Sequence, residues 1–180
     1  MPGIGPSAPR SVRVADGTLV LTAPKGFCVD QKASRADGSF VLFGNCAALS
    51  GNPLLPQPAQ PVVLTAAVSA PASGPVADAL PQMEAFFRSE AGRAALSRVG
   101  KAETVKVLET GRNGEVLLVH LRDTAEFSGP RVAPEYWRAF TGGAGRILSL
   151  SVLPLRDRPI TDASQRELIL AFAGWIRAAN

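Results

Sequence analysis

A single histidine and two cysteines are this chain's entire supply of soft metal ligands and of nucleophile and base partners. A zinc site needs three or four ligands, and the carboxylates do not cluster at ligand spacing, so no metal is expected. Lysine is nearly as scarce. Of 19 cationic side chains only 4 are lysine, and the arginines scatter from Arg10 to Arg177 without a run. A nucleic-acid footprint gathers its basic residues on one face, so a net charge of +4 spread this way argues against nucleic acid as a partner. Arg88, Arg93 and Arg98, spaced by five, walk around a helix and read as solvated arginines, with a phosphate-binding face as the alternative. No window reaches the roughly 18 consecutive apolar residues of a membrane-spanning helix. The glycines of GRNG and TGGAG join strand to strand, whereas phosphate and dinucleotide loops join strand to helix, so no cofactor is expected.

What is present is an ordinary globular composition, 46% hydrophobic and 19% charged over 180 residues. The opening MPGIGPSAPRSV lacks the charged and apolar regions of a signal peptide. We read residues 1–10 as a flexible lead-in, compatible with an export signal or a membrane tether before residue 1, and residues 11–180 as one α+β domain.

SVRVADGTLVLTAP places two β-rich runs around Asp16-Gly17, a hairpin turn signal. GFCVD and SFVLFGNCAAL pair in the same way across Asp37-Gly38. In the second of these strands Val41 and Phe43 oppose Phe40 and Leu42, so both faces are apolar and the strand is expected to be buried on both sides. A proline-rich connection, GNPLLPQPAQP, excludes helix interior and central strand, and VVLTAAVSA resumes as a strand.

From Val76 the period changes to a helical stripe of Leu80, Met83 and Phe87, with Pro81 placed in the first turn, a restart at Ser89-Glu90 and a stop at Gly100. Packing is expected through Phe86 or Phe87, Met83 and Leu96. Two hairpins follow, AETVKVLET with EVLLVHLRD and PEYWRAF with RILSLSVLPL. The chain closes on a helix with a capping-box-like start, Asp162 three before Gln165, with Leu168, Phe172, Trp175 and Ala179 as its buried stripe and Ile169 and Ile176 widening it.

Cys28 and Cys46 lie near the open end of one hairpin, with 17 residues between them. Three readings are open: a disulfide staple in an oxidising compartment, two buried thiols, or a reactive thiol at Cys46. The last has some support from Gly44 two before Cys46, a partial nucleophile elbow, and would take His120 as general base. His120 sits mid-strand among leucine and valine, where a histidine ordinarily packs on the sheet. The candidate binding surface is EYWRAF: Tyr136, Arg138 and Phe140 share one strand face and Trp137 takes the other. Trp, Tyr and Arg dominate interface hot spots, and burial between sheet and helix is the competing reading.

The order of elements, carried by LTAPKGFCVD, GRILSLSVLPL and LILAFAGWI, is similar to the PsbP-like family of oxygen-evolving accessory proteins of photosystem II. That sandwich is shared with a Ran-binding nuclear transport factor and several bacterial envelope lipoproteins. PKGFCVD, FVLFGNCAALSG and YWRAF also resemble exported alphaproteobacterial proteins. The resemblance implies an α/β/α sandwich, an antiparallel sheet of about six to seven strands with a central and a C-terminal helix. It also implies a non-catalytic accessory or protein-interaction role in a bacterial periplasm or envelope, with a protein partner. Two alternatives stand beside it: a small-molecule or lipid-binding protein with its ligand between sheet and helix, and a thiol hydrolase using Cys46 and His120.

Intact-mass measurement after alkylation separates the cysteine readings. The staple predicts no label on the native chain and two labels after reduction; a label entering Cys46 without reduction would favour the thiol enzyme.

Overall fold

The computed structural model describes residues 7–126 and 131–180. Residues 1–6 of the expected lead-in lie outside the described residues. Within the rest of that segment, Ala8 N–H donates to Ser50 Oγ at 2.8 Å, and Pro9 C=O accepts from Val29 N–H at 2.7 Å.

Strands β1 (Ser11–Val14) and β2 (Leu19–Thr22) form the expected first hairpin as a separate two-stranded sheet. Its turn holds Ala15, Asp16 and Gly17 at φ 52°, 55° and 81°. Strands β3 (Phe27–Asp30) and β4 (Phe40–Asn45) form the second hairpin. Val41, Leu42 and Phe43 are all buried, as the two-faced apolar pattern of β4 requires.

The chain then departs from expectation. Before the proline-rich connection, CAALS makes a one-turn helix, α1 (Cys46–Ser50). Asn45 Oδ1 accepts from the N–H groups of Ala47 and Ala48, and Gly51 at φ 60° closes the other end. The caps, rather than any apolar period, make this helix.

Strand β5 (Val62–Pro71) leads into α2 (Val76–Arg88) and α3 (Glu90–Leu96), which meet at Ser89. Ser89 is in extended backbone and its Oγ accepts from Gly92 N–H, so the expected restart is a true N-cap. Pro81 lies in the second turn of α2 rather than the first, because the helix already begins at Val76. The forgone hydrogen bond is offset by apolar burial at Val76, Leu80 and Phe87. Phe87 is the buried member of its pair, and Phe86 is 45% exposed.

A 3₁₀ turn at Ala102–Thr104 delays the next strand, so β6 (Val105–Asn113) starts later than AETV suggested. Strands β7 (Val116–Asp123), β8 (Glu135–Gly143) and β9 (Arg146–Pro154) complete an antiparallel meander. Ala144 and Gly145 join the last pair with both φ angles positive, the combination that matches strand twist in a two-residue turn.

The seven-stranded sheet runs β3-β4-β5-β9-β8-β7-β6, antiparallel throughout. The α2–α3 pair crosses one face to carry the chain from β5 to β6 at the far edge. Leu80, Phe87, Leu96, Leu117, Val119, Leu121, Tyr136 and Phe140 form the core on that side. Helix α4 (Asp162–Ala179) and the β1–β2 hairpin cover the other face, over Phe43, Leu64, Leu118, Trp137 and Leu150, with Phe172 of α4 in the same core. The architecture is therefore the expected α/β/α sandwich.

Within α4 the buried stripe is Gln165, Ile169, Phe172, Ala173 and Ile176; Trp175 is 41% exposed and Ala179 is at the surface. Both this stripe and the expected one have helical spacing and share Ile169, Phe172 and Ile176. Contact with the sheet, which periodicity does not encode, selects between them. The last residue pins the hairpin: the Asn180 amide both accepts from Val20 N–H and donates to Val20 C=O, at 2.9 and 2.8 Å, imitating a strand partner.

Gly92 is required where α2 and α3 meet, since a Cβ there would stand 1.7 Å from Phe86 C=O, a backbone atom that has no room to yield. Gly92→Ala is expected to lower unfolding free energy by about 3 kcal/mol, the upper end of overpacking costs. Gly174→Ala, whose Cβ meets nothing, should instead raise it by roughly 0.5–1 kcal/mol. Urea titration of the two variants checks the contrast.

Candidate functional site

The cysteines are reached through local geometry alone. The β3–β4 register sets Cys28 opposite Gly44, and Cys46 follows as the first residue of α1, its N–H donating to Gly26 C=O at 2.9 Å. The Cα atoms stand 4.8 Å apart and the two sulfurs are joined in a disulfide; no cysteine is free. Both residues are buried. Closing a loop of this length stabilises the fold by about 3 kcal/mol in the chain-entropy model.

The thiol-hydrolase reading fails on this geometry. A helix does follow Cys46, as a nucleophile elbow would need, but its sulfur is bonded to Cys28. His120 lies on β7, four strand positions from β4 in the sheet order, roughly 19 Å at about 4.8 Å per strand.

His120 has another occupation. Across the β7–β8 ladder it opposes Trp137, and the two rings stack with centroids 4.7 Å apart and planes 6° from parallel. Asp162, the first residue of α4, accepts from the indole N–H at 2.7 Å and lies 3.5 Å from His120 Nε2. Thr161, not Asp162, caps the helix by accepting from Ser164 N–H at 3.1 Å. This leaves the Asp162 carboxylate near the positive helix terminus, where it joins α4 to the sheet.

Beyond the exposed Glu135, the EYWRAF run lies inside the molecule. Tyr136, Trp137 and Phe140 are 3%, 2% and 5% exposed, so their rings are core rather than outer surface. The alternation is as expected: Tyr136 and Phe140 face α2–α3, and Trp137 faces α4. Phe140 packs on Phe87 at 4.5 Å between centroids, and the Arg98 guanidinium lies 4.9 Å from the Tyr136 centroid. Arg138, half-buried between them, donates to Leu96 C=O at 3.4 Å and to Ser149 Oγ, and stands 5.1 Å from the Phe140 ring. Ser149 of β9 thus receives a cation beneath α3.

Of the three spaced arginines, Arg88 and Arg93 come together, lining a pocket of about 300 Å³ with Val105, Lys106 and Val107. Arg98 turns the other way, towards Tyr136 and Ala125 C=O. Asp123 is fully buried and accepts from Arg98 N–H and Ala125 N–H. A more enclosed cleft of about 450 Å³ lies between the β1–β2 turn and the β3–β4 loop, with Val12, Val14, Val29 and Val41 among its lining residues. That is not the sheet–helix layer in which a ligand was expected.

No protein-family model matches the chain, and no curated protein matches it. Among solved structures it is similar to cyanobacterial PsbP from Synechocystis, at 12% identity over 97% of this chain and 94% of that one, with a TM-score of 0.44. It is also similar to the Ran-binding protein Mog1p from Saccharomyces cerevisiae, at 11% identity over 96% and 94%, with a TM-score of 0.43.

Asp162→Ala would strand the buried Trp137 N–H, and is expected to cost about 1–3 kcal/mol. Asp162→Asn keeps an acceptor at the same place and should recover most of that loss. Thermal melts of the two variants against the parent give the comparison.

Proposed function

We propose that this protein is a non-catalytic accessory or interaction module acting outside the cytoplasm, in the periplasm or attached to the envelope of a bacterium, with another protein as its partner. The observation carrying this reading is the buried Cys28–Cys46 disulfide between the chain's only two cysteines. Such a bond persists in an oxidising compartment and is rare where thiols are kept reduced.

The placement of the reactive side chains supports the same reading. His120 is stacked on Trp137, and Arg138 bridges α3 to β9. The run Tyr136, Trp137, Arg138 and Phe140 serves binding indirectly, by holding the middle of the sheet rigid beneath the surfaces that meet a partner. Exposed Phe86, Leu108 and Trp175 offer apolar anchors on those surfaces.

A second reading has one observation in its favour. The cleft with Val12, Val14, Val29 and Val41 on its walls and Arg13, Asp16, Arg35 and Asp37 among its lining residues suits a small amphiphile with a polar head. Native mass spectrometry of protein purified from envelope extracts would reveal such a ligand as a fixed added mass.

The test of the main reading is made in the source cell. Acid-quenched alkylation should find Cys28 and Cys46 oxidised, and photo-crosslinkers at Phe86 and Trp175 should yield discrete protein adducts. Both cysteines reduced in the cell, or no adduct from either position, would overturn it.

A further inference from the structure

We propose that the open edge of β6 docks an extended acidic segment of a partner protein, added to the sheet as an eighth strand with its carboxylates on Arg88 and Arg93. This rests on the protein-interaction reading and names the surface and the partner chemistry.

The phase of the β6–β7 ladder shows which backbone groups face outward. Thr124 N–H donates to Thr104 C=O at 2.9 Å. Counting on through Val105↔Asp123, Lys106↔Arg122 and Val107↔Leu121, Lys106 bonds to β7, while Val105 and Val107 turn their backbone groups away from it. A bulge at Leu108 resets the count, so Glu109 pairs inward with His120, and Thr110 and Arg112 face outward. Val105 N–H is taken by Ala102 C=O. Among the described residues nothing else reaches the row made by Val105 C=O and the N–H and C=O groups of Val107, Thr110 and Arg112. β6 is the last strand in the sheet order, and it is nine residues long.

Beside this row lies a cationic pocket. Arg88, Arg93 and Lys106 line it together with Val105 and Val107, and no carboxylate does. The two arginines are already oriented: Arg88 donates to Thr110 Oγ1 at 2.8 Å, and Arg93 donates to Arg88 C=O at 3.0 Å. The neighbouring Glu84 is engaged, accepting from Thr110 Oγ1 and pairing with Arg112 at 3.6 Å. A strand added here places alternate side chains on the α2–α3 face, where acidic residues meet the pocket. A second copy of this chain would bring the same cations to the same edge, and the bulge interrupts a straight ladder; both disfavour self-pairing.

The experiment uses the full oxidised chain and two short capped peptides, one alternating Glu with Val and one alternating Lys with Val. Amide hydrogen exchange by NMR should show Val107 and Thr110 slowed by the Glu peptide and not by the Lys peptide. Added salt should weaken that binding. Arg88→Glu with Arg93→Glu should weaken it by about tenfold or more. Val107→Pro, which removes one outward donor and leaves the β7 ladder whole, should do the same, with thermal melts confirming that both variants fold. The inference is overturned if the Glu peptide leaves these amides unprotected or if charge reversal leaves its affinity unchanged. Protection that appears on concentrating the free protein would also overturn it, by assigning the edge to a second copy. If crosslinking at Phe86 and Trp175 captures a partner that the charge-reversed protein captures equally well, the edge assignment fails and the interaction reading stands.

Discussion

Burial on both faces of β7, β8 and β9 is the constraint from which the rest of the structure follows. Val116 and Leu118 face one layer while Leu117 and Val119 face the other, and β8 and β9 divide their apolar residues in the same way. A sheet of this kind is stable only with helix on both sides. The chain meets the requirement in one pass, crossing with α2–α3 from β5 to β6, returning by the meander, and closing with α4 on the opposite face. That route leaves β6 as a terminal strand with one ladder neighbour.

The same constraint explains why the polar side chains within the layers make structural contacts. Burying a charged or hydrogen-bonding group without a partner costs several kcal/mol, and Asp123, Arg138 and Gln165 each make at least one hydrogen bond where they sit, although Arg138 Nε and Gln165 Oε1 are buried without one among the described residues. Asp123 closes the turn after α3, Arg138 joins α3 to β9, and Asp162 ties the start of α4 to Trp137. These contacts fix how each helix meets the sheet, a matter that apolar packing alone leaves loosely determined. The disulfide does equivalent work at the opposite end, where β3 and α1 have little helix above them.

Much of this was legible in the sequence because it is local. Asp16-Gly17 and Asp37-Gly38 marked hairpins, alternation assigned the faces of β8, and the spacing of two cysteines at a hairpin mouth admitted a disulfide. What escaped was nonlocal or governed by caps. Helix α1 depends on Asn45 and Gly51 rather than on a hydrophobic period. Trp175 and Ile176 both fit a helical stripe, and only the sheet decides between them. Asp162 looked like a cap because its partner Trp137 is 25 residues away. The exposed edge was beyond sequence reasoning for the same reason: local pattern makes β6 a strand, but topology makes it the last one.

The central claim is that β6 presents a free row of backbone donors beside Arg88 and Arg93. Amide hydrogen exchange of the unbound oxidised protein, resolved by residue along β6, tests it most directly. The account predicts an alternating record, with Lys106, Glu109 and Gly111 protected by β7 and Val107, Thr110 and Arg112 exchanging at rates near those of open chain. Uniform protection along the strand would contradict it, since it would mean that the edge is already covered.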